Sequence, residues 1–162
     1  MLVPLLARIH TTCRPLLFCF TLAGCVEGEG CGNGIGPQGG AAEVNPELCD
    51  FIAAVRVPPG AVDHEFEARI GCDVAPLDFS FDTQSSIYEF RPLDLVMGIP
   101  AEFRLEYNGG ENTQVAWTPV GAGESEWTIL PVDVTSFRFG GGEPAVRFEF
   151  DRFGYFAVIG QP

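Results

Sequence analysis

From Phe51 onward, apolar and polar residues alternate with a period of two. In His64-Glu65-Phe66-Glu67-Ala68-Arg69-Ile70, the side chains of Phe66, Ala68 and Ile70 fall on one side and those of Glu65, Glu67 and Arg69 on the other. Ala101-Glu102-Phe103-Arg104-Leu105-Glu106-Tyr107 and Val146-Arg147-Phe148-Glu149-Phe150 repeat the alternation. Successive side chains of a strand project to opposite faces, so the pattern predicts strands with one face buried and one wet. Further strands are predicted over Phe51–Val57, Leu77–Phe81, Ile87–Arg91, Gln114–Pro119, Trp127–Val134 and Tyr155–Ile159. Pro58-Pro59-Gly60, Asn108-Gly109-Gly110, Gly121-Ala122-Gly123 and Gly140-Gly141-Gly142 supply turn chemistry between them. No stretch shows a 3.6-residue period. Roughly eight or nine short strands spaced by turns predict an all-β fold, an antiparallel two-sheet β-sandwich.

Ahead of Phe51 the chain changes character. Arg8 and Arg14 carry positive charge, no acid precedes Glu27, and Leu16–Ala23 form an apolar run of secretory length. A bilayer span needs about 20 apolar residues, so the run is too short to cross one. It ends Leu22-Ala23-Gly24-Cys25, which resembles the lipobox of bacterial lipoproteins. In that family the chain is cut before the cysteine, whose sulfur receives a diacylglycerol and whose new amino group receives an acyl chain. The resemblance implies a signal peptide over 1–24, lipidation at Cys25 and attachment to the bacterial cell envelope, each buried CH₂ contributing about 0.8 kcal/mol. Val26 follows the cysteine where an inner-membrane retention signal would place aspartate, which favours the outer membrane or cell surface. The other reading is an ordinary signal peptide cut near Ala23, or an uncleaved anchor.

Seven of the sixteen residues from Val26 to Ala41 are glycine. Such a composition buries too little to order itself, so residues 25–48 are expected to be a flexible tether, with the sandwich domain over 49–162. Gly34-Ile35-Gly36-Pro37-Gln38-Gly39 matches GxGxxG, but a dinucleotide site needs a strand before and a helix after. Neither is readable here, and glycine content alone generates the match.

Charge narrows the partners. The chain has 22 acids against 9 basic residues, all arginine, for a net charge of −13. Removing Arg8 and Arg14 with the signal leaves 7 − 22 = −15. Such a body repels nucleic acid and anionic headgroups, so contact with the membrane is expected through the N-terminal lipid alone. Of six cysteines, Cys13 and Cys19 leave with the signal and Cys25 takes the lipid. If strands 51–57 and 63–71 pair as a hairpin around Gly60-Ala61, Cys49 and Cys72 face each other within reach of a disulfide. If those strands lie in different sheets, the same bridge pins the sheets together. Cys31 is left over, free or competing for Cys49.

The residues that carry chemistry are sparse. His64 is the one histidine after the signal. Gly123-Glu124-Ser125-Glu126-Trp127 lacks the second glycine and the helix of a nucleophile elbow. Asp63, Glu65 and Glu67 share a strand face while His64 projects from the other, which splits any metal ligand set. Asp73, Asp78, Asp82 and Asp94 lie near turns but lack calcium-loop spacing. Tyr88, Tyr107, Trp117 and Trp127 could form a glycan platform, yet a sandwich of this size needs such side chains for its core. The reading is a non-catalytic protein with no cofactor and no metal site, acting as a protein-interaction, adhesion or spacer module with a protein partner in the envelope. The alternative is a ligand-binding lipoprotein that captures calcium or glycan through acidic loops or an aromatic face.

Three blocks carry a second resemblance: Val55-Arg-Val-Pro-Pro-Gly-Ala61; Tyr88-Glu-Phe-Arg-Pro92 with Ile99-Pro-Ala-Glu-Phe-Arg-Leu-Glu-Tyr107; and Trp127-Thr-Ile-Leu130 with Arg152-Phe-Gly-Tyr-Phe-Ala-Val158. Their order and spacing over residues 51–159 resemble the zonula-occludens/uncoordinated-five domain of ankyrins and netrin receptors. The resemblance implies a two-sheet sandwich used for protein contacts. Some relatives carry His-Phe-Ser near the last strand and self-cleave there, the serine hydroxyl attacking the preceding carbonyl. Here the positions read Arg152-Phe153-Gly154, with neither the hydroxyl nor the histidine, so an intact chain is expected.

Overall fold

The computed structural model describes residues 33–44, 49–72, 81–110, 112–119, 127–138 and 142–160. The signal segment, Cys25, Cys31, Asp73, Asp78, Ser125 and most of the strand expected over Leu77–Phe81 lie outside them. Among the described residues there is no helix. Eleven strands follow in order: β1 (Asn33–Ile35), β2 (Gly40–Glu43), β3 (Ala53–Val57), β4 (Phe66–Cys72), β5 (Tyr88–Arg91), β6 (Val96–Glu106), β7 (Thr113–Thr118), β8 (Thr128–Ile129), β9 (Thr135–Arg138), β10 (Pro144–Arg152) and β11 (Tyr155–Gly160).

They form two antiparallel sheets packed face to face, the predicted β-sandwich. One has six strands in the order β1-β4-β5-β11-β7-β8, the other five in the order β2-β3-β6-β10-β9. Period-two alternation decides which residues meet between them. From the five-stranded sheet come Val55, Phe103, Leu105, Val146 and Phe148; from the six-stranded sheet Ile70, Tyr88, Phe90, Phe156 and Val158, all buried. Phenylalanines interlock across the gap. Phe103 stacks on Phe148 within its own sheet at 5.4 Å and meets Phe90 and Phe156 of the other at 5.1 and 4.8 Å.

Phe153 enters this cluster from a corner. β10 and β11 belong to different sheets, and only Phe153-Gly154 joins them. Phe153 is fully buried, with its ring 6.0 Å from those of Phe90 and Phe103. Hydrogen bonds fix the corner on both sides: Phe153 N–H donates to Leu95 O at 3.0 Å, and Phe90 N–H to Gly154 O at 2.9 Å. A Cβ on Gly154 would stand 2.6 Å from the Thr118 carbonyl oxygen and 2.7 Å from Trp117 Nε1, so no side chain fits.

Three expectations are corrected. The glycine-rich stretch is not wholly a tether: residues 33–43 supply β1 to one sheet and β2 to the other, so the sandwich includes chain well ahead of residue 49. Glycine is needed in the turn between them. Gly39 N–H donates to Gly36 O at 2.8 Å with Gly39 at φ 81°, and a Cβ there would stand 2.7 Å from Val57 O. This turn accounts for the GxGxxG match. The second correction is that strands 51–57 and 63–71 do not form a hairpin. β3 pairs with β2 and β6, while β4 pairs with β1 and β5 in the opposite sheet. Cys49 and Cys72 are nonetheless bonded, with Cα atoms 6.0 Å apart, so the bridge pins one sheet to the other. The strand expected over Trp127–Val134 is short, Thr128–Ile129, and the chain then crosses to the other sheet as β9.

Candidate interaction surface

The outward side chains of the five-stranded sheet form two rows across the strands. Register places Ala41, Arg56, Glu102 and Glu149 in one row, on β2, β3, β6 and β10. Glu43, Ala54, Arg104, Arg147 and Thr135 form the next, which extends to β9. Inward neighbours of these residues, such as Val55, Phe103 and Phe148, build the core, so the pleat itself turns the charges outward. Ala41 and Ala54 are small and leave a shallow depression of about 500 Å³ between Glu43, Arg56 and Arg104. Glu102 borders this depression and two others that continue along the face toward Pro58-Pro59 and toward Val132-Asp133.

Arg104 closes on Glu102 of its own strand, with Nε and Nη2 at 2.8 and 2.5 Å from one carboxylate oxygen. Arg56, Arg147 and Glu149 are exposed and make no ion pair among the described residues. These two rows hold three arginines and three glutamates, with Asp133 adding an acid at the β9 edge, on a chain that carries 22 acids against 9 bases.

The opposite face is covered over β5, β11 and β7. On the outside of the six-stranded sheet Glu89 is buried directly across from Tyr155. Tyr155 Oη donates to Glu89 Oε1 at 2.5 Å, and Arg91 Nε donates to Glu89 Oε2 at 2.8 Å. Burial, reinforced by the hydrogen bond to Glu89 and its charge, pushes the Tyr155 phenol up to about 12. Ala116, Ala157 and Ile159 are covered there by Phe81, Ile87 and Trp127. The segment before β5 runs along β11, with Gln84 N–H donating to Val158 O and Val158 N–H to Ser85 Oγ.

The other residues singled out in the sequence are scattered. Asp63 and His64 are exposed side by side, Nδ1 to Oδ1 2.6 Å, and this hydrogen bond holds the Asp63 carboxyl below its usual range. Among the described residues no three of His, Cys, Asp or Glu converge as metal ligands. Tyr88, Tyr107 and Trp117 are buried in the core and Trp127 is half-buried, so they form no open aromatic platform. Glu102, Arg104, Arg147 and Glu149 were visible in the sequence as the wet halves of two alternating segments. What the sequence does not carry is which strands lie side by side, and hence that Arg147 stands next to Arg104 and Glu149 next to Glu102. No family model matches the chain, and no curated protein matches it.

Proposed function

We propose that this is a non-catalytic lipoprotein of the bacterial envelope, anchored through Cys25, whose sandwich makes protein contacts. The observation that carries the reading is the Leu22-Ala23-Gly24-Cys25 junction standing eight residues ahead of the first strand at Asn33. Eight residues reach at most about 28 Å, which sets the sandwich close to the surface that holds the lipid. β1 runs antiparallel to β4, Asn33 opposite Ala68 and Ile35 opposite Phe66, so its leading end points toward the Cys72 end of the molecule. The Gly36–Gly39 and Pro58–Gly60 turns then lie at the far end, joined by Gly60 N–H to Pro37 O. The flanks, including the charged face, stay accessible to neighbours, while the acidic body is repelled by anionic headgroups.

The test is metabolic labelling with a fatty acid, with chemical crosslinking in intact cells. Wild-type protein should incorporate label and Cys25→Ser should not, and crosslinking should give protein adducts. Labelling that persists in Cys25→Ser, or an N-terminus still bearing residues 1–24, overturns the anchor.

A further inference from the structure

On the outer face of the five-stranded sheet, like charges stand directly opposite each other. Glu102 of β6 is in register with Glu149 of β10, and two residues along, Arg104 is in register with Arg147. Directly opposed residues on one sheet face bring their Cβ atoms to about 5 Å, and like charges so placed destabilise the sheet. Exchanging Arg147 and Glu149 would give two cross-strand ion pairs instead. The internal Arg104–Glu102 contact relieves only the β6 half; Arg147 and Glu149 remain exposed and unpaired among the described residues. On β6 and β10 these four charges form a small dipole, a basic pair and an acidic pair separated by about 7 Å along the strands, with Arg56 of β3 beside the acidic pair and Glu43 of β2 at the end of the basic row.

Such a pattern is complementary to itself. Rotation by half a turn about an axis in the sheet plane, perpendicular to the strands and midway between the rows, lays each basic pair over the acidic pair of an identical face. We propose that this face docks a second copy of the chain, Arg104 and Arg147 of each copy lying over Glu102 and Glu149 of the other. The proposal rests on the protein-contact reading above and names the partner.

The acidic body opposes association, but at physiological salt charges beyond about 8 Å are screened while contacting pairs are not. Three of the chain's nine arginines stand on this face, so two acidic copies approach there at reduced cost. Ala41, Ala54, Pro58, Pro59, Pro100 and Val132 add only modest apolar surface, which places the contact among small, weak interfaces. Copies held on one membrane meet at high local concentration, which is where a weak contact operates.

The test is sedimentation equilibrium of the full chain carrying Cys25→Ser and Cys31→Ser, so that neither lipid nor a stray thiol joins copies. The apparent mass should rise toward twofold with concentration and fall back in high salt. Arg104→Glu with Arg147→Glu makes these four positions all acidic, and Glu102→Arg with Glu149→Arg makes them all basic. Each variant alone should be monomeric, and an equimolar mixture should recover the twofold mass. If either double variant fails to fold, Arg147→Glu and Glu149→Arg, which alter exposed positions only, take its place. A monomeric parent at every concentration, variants that associate as the parent does, or a mixture that stays monomeric each overturns the proposal. A monomeric parent that still crosslinks to another envelope protein defeats this inference and leaves the protein-contact reading standing.

Discussion

Cys49 and Cys72 are bonded although the strands beside them, β3 and β4, share no hydrogen-bond ladder and belong to opposite sheets. The bridge closes a loop of 23 residues that contains the crossing from one sheet to the other. Replacing both cysteines with alanine should lower unfolding stability by about 3 kcal/mol on the loop-closure argument. Denaturant titration measures this, and non-reducing peptide mapping of the parent should recover 49 linked to 72.

Phe103 touches Phe90, Phe148, Phe153 and Phe156, and so joins both sheets and the corner. Phe103→Ala should cost about 3–5 kcal/mol through lost burial and the cavity left behind. Phe103→Leu should cost clearly less. The midpoints of chemical denaturation rank the two, and equal losses would contradict the central place given to the ring.

Tyr155 makes stability fall in alkali. Its phenol ionises at about 12 in the folded chain against 10.0 for a free tyrosine. The folded state therefore favours the protonated form. Its contribution is complete below pH 10 and is lost as pH rises from there toward 12. Denaturation midpoints should drop across that window, and Tyr155→Phe should flatten the drop. An identical slope in the variant would assign the alkaline loss to other groups.

Gly154→Ser adds a hydroxyl beside the Phe153 carbonyl, but its Cβ meets the Thr118 carbonyl at 2.6 Å. The variant should lose about 1–3 kcal/mol by overpacking and remain a single chain on denaturing gels. Fragments with ends at Phe153 and residue 154 would refute the steric argument.

Strands with strict alternation were legible, because one buried and one wet face is a local property. The segments around Phe66–Ile70, Ala101–Tyr107 and Val146–Phe150 all lie within or overlap β4, β6 and β10. β1 and β2 were not legible. Asn33-Gly34-Ile35 and Gly40-Ala41-Ala42-Glu43 have too few large side chains to show a period, and their order comes from pairing with β4 and β3. The expected hairpin failed for a related reason: adjacency in sequence suggested pairing, yet residues 58–65 carry the chain from β3 in one sheet to β4 in the other. The docking face depended on the same long-range pairing, since Glu102 and Glu149 are 47 positions apart and meet only through register.

The segment that spans the Gly36–Gly39 turn also governs how the molecule bears tension. Tension applied at Asn33 along the axis of β1 would load its three residue pairs with β4 together. Any slack passed on arrives at β2, which is stitched to the opposite sheet. Both halves of the sandwich would thus share a load applied there, and the disulfide between them limits how far they can part.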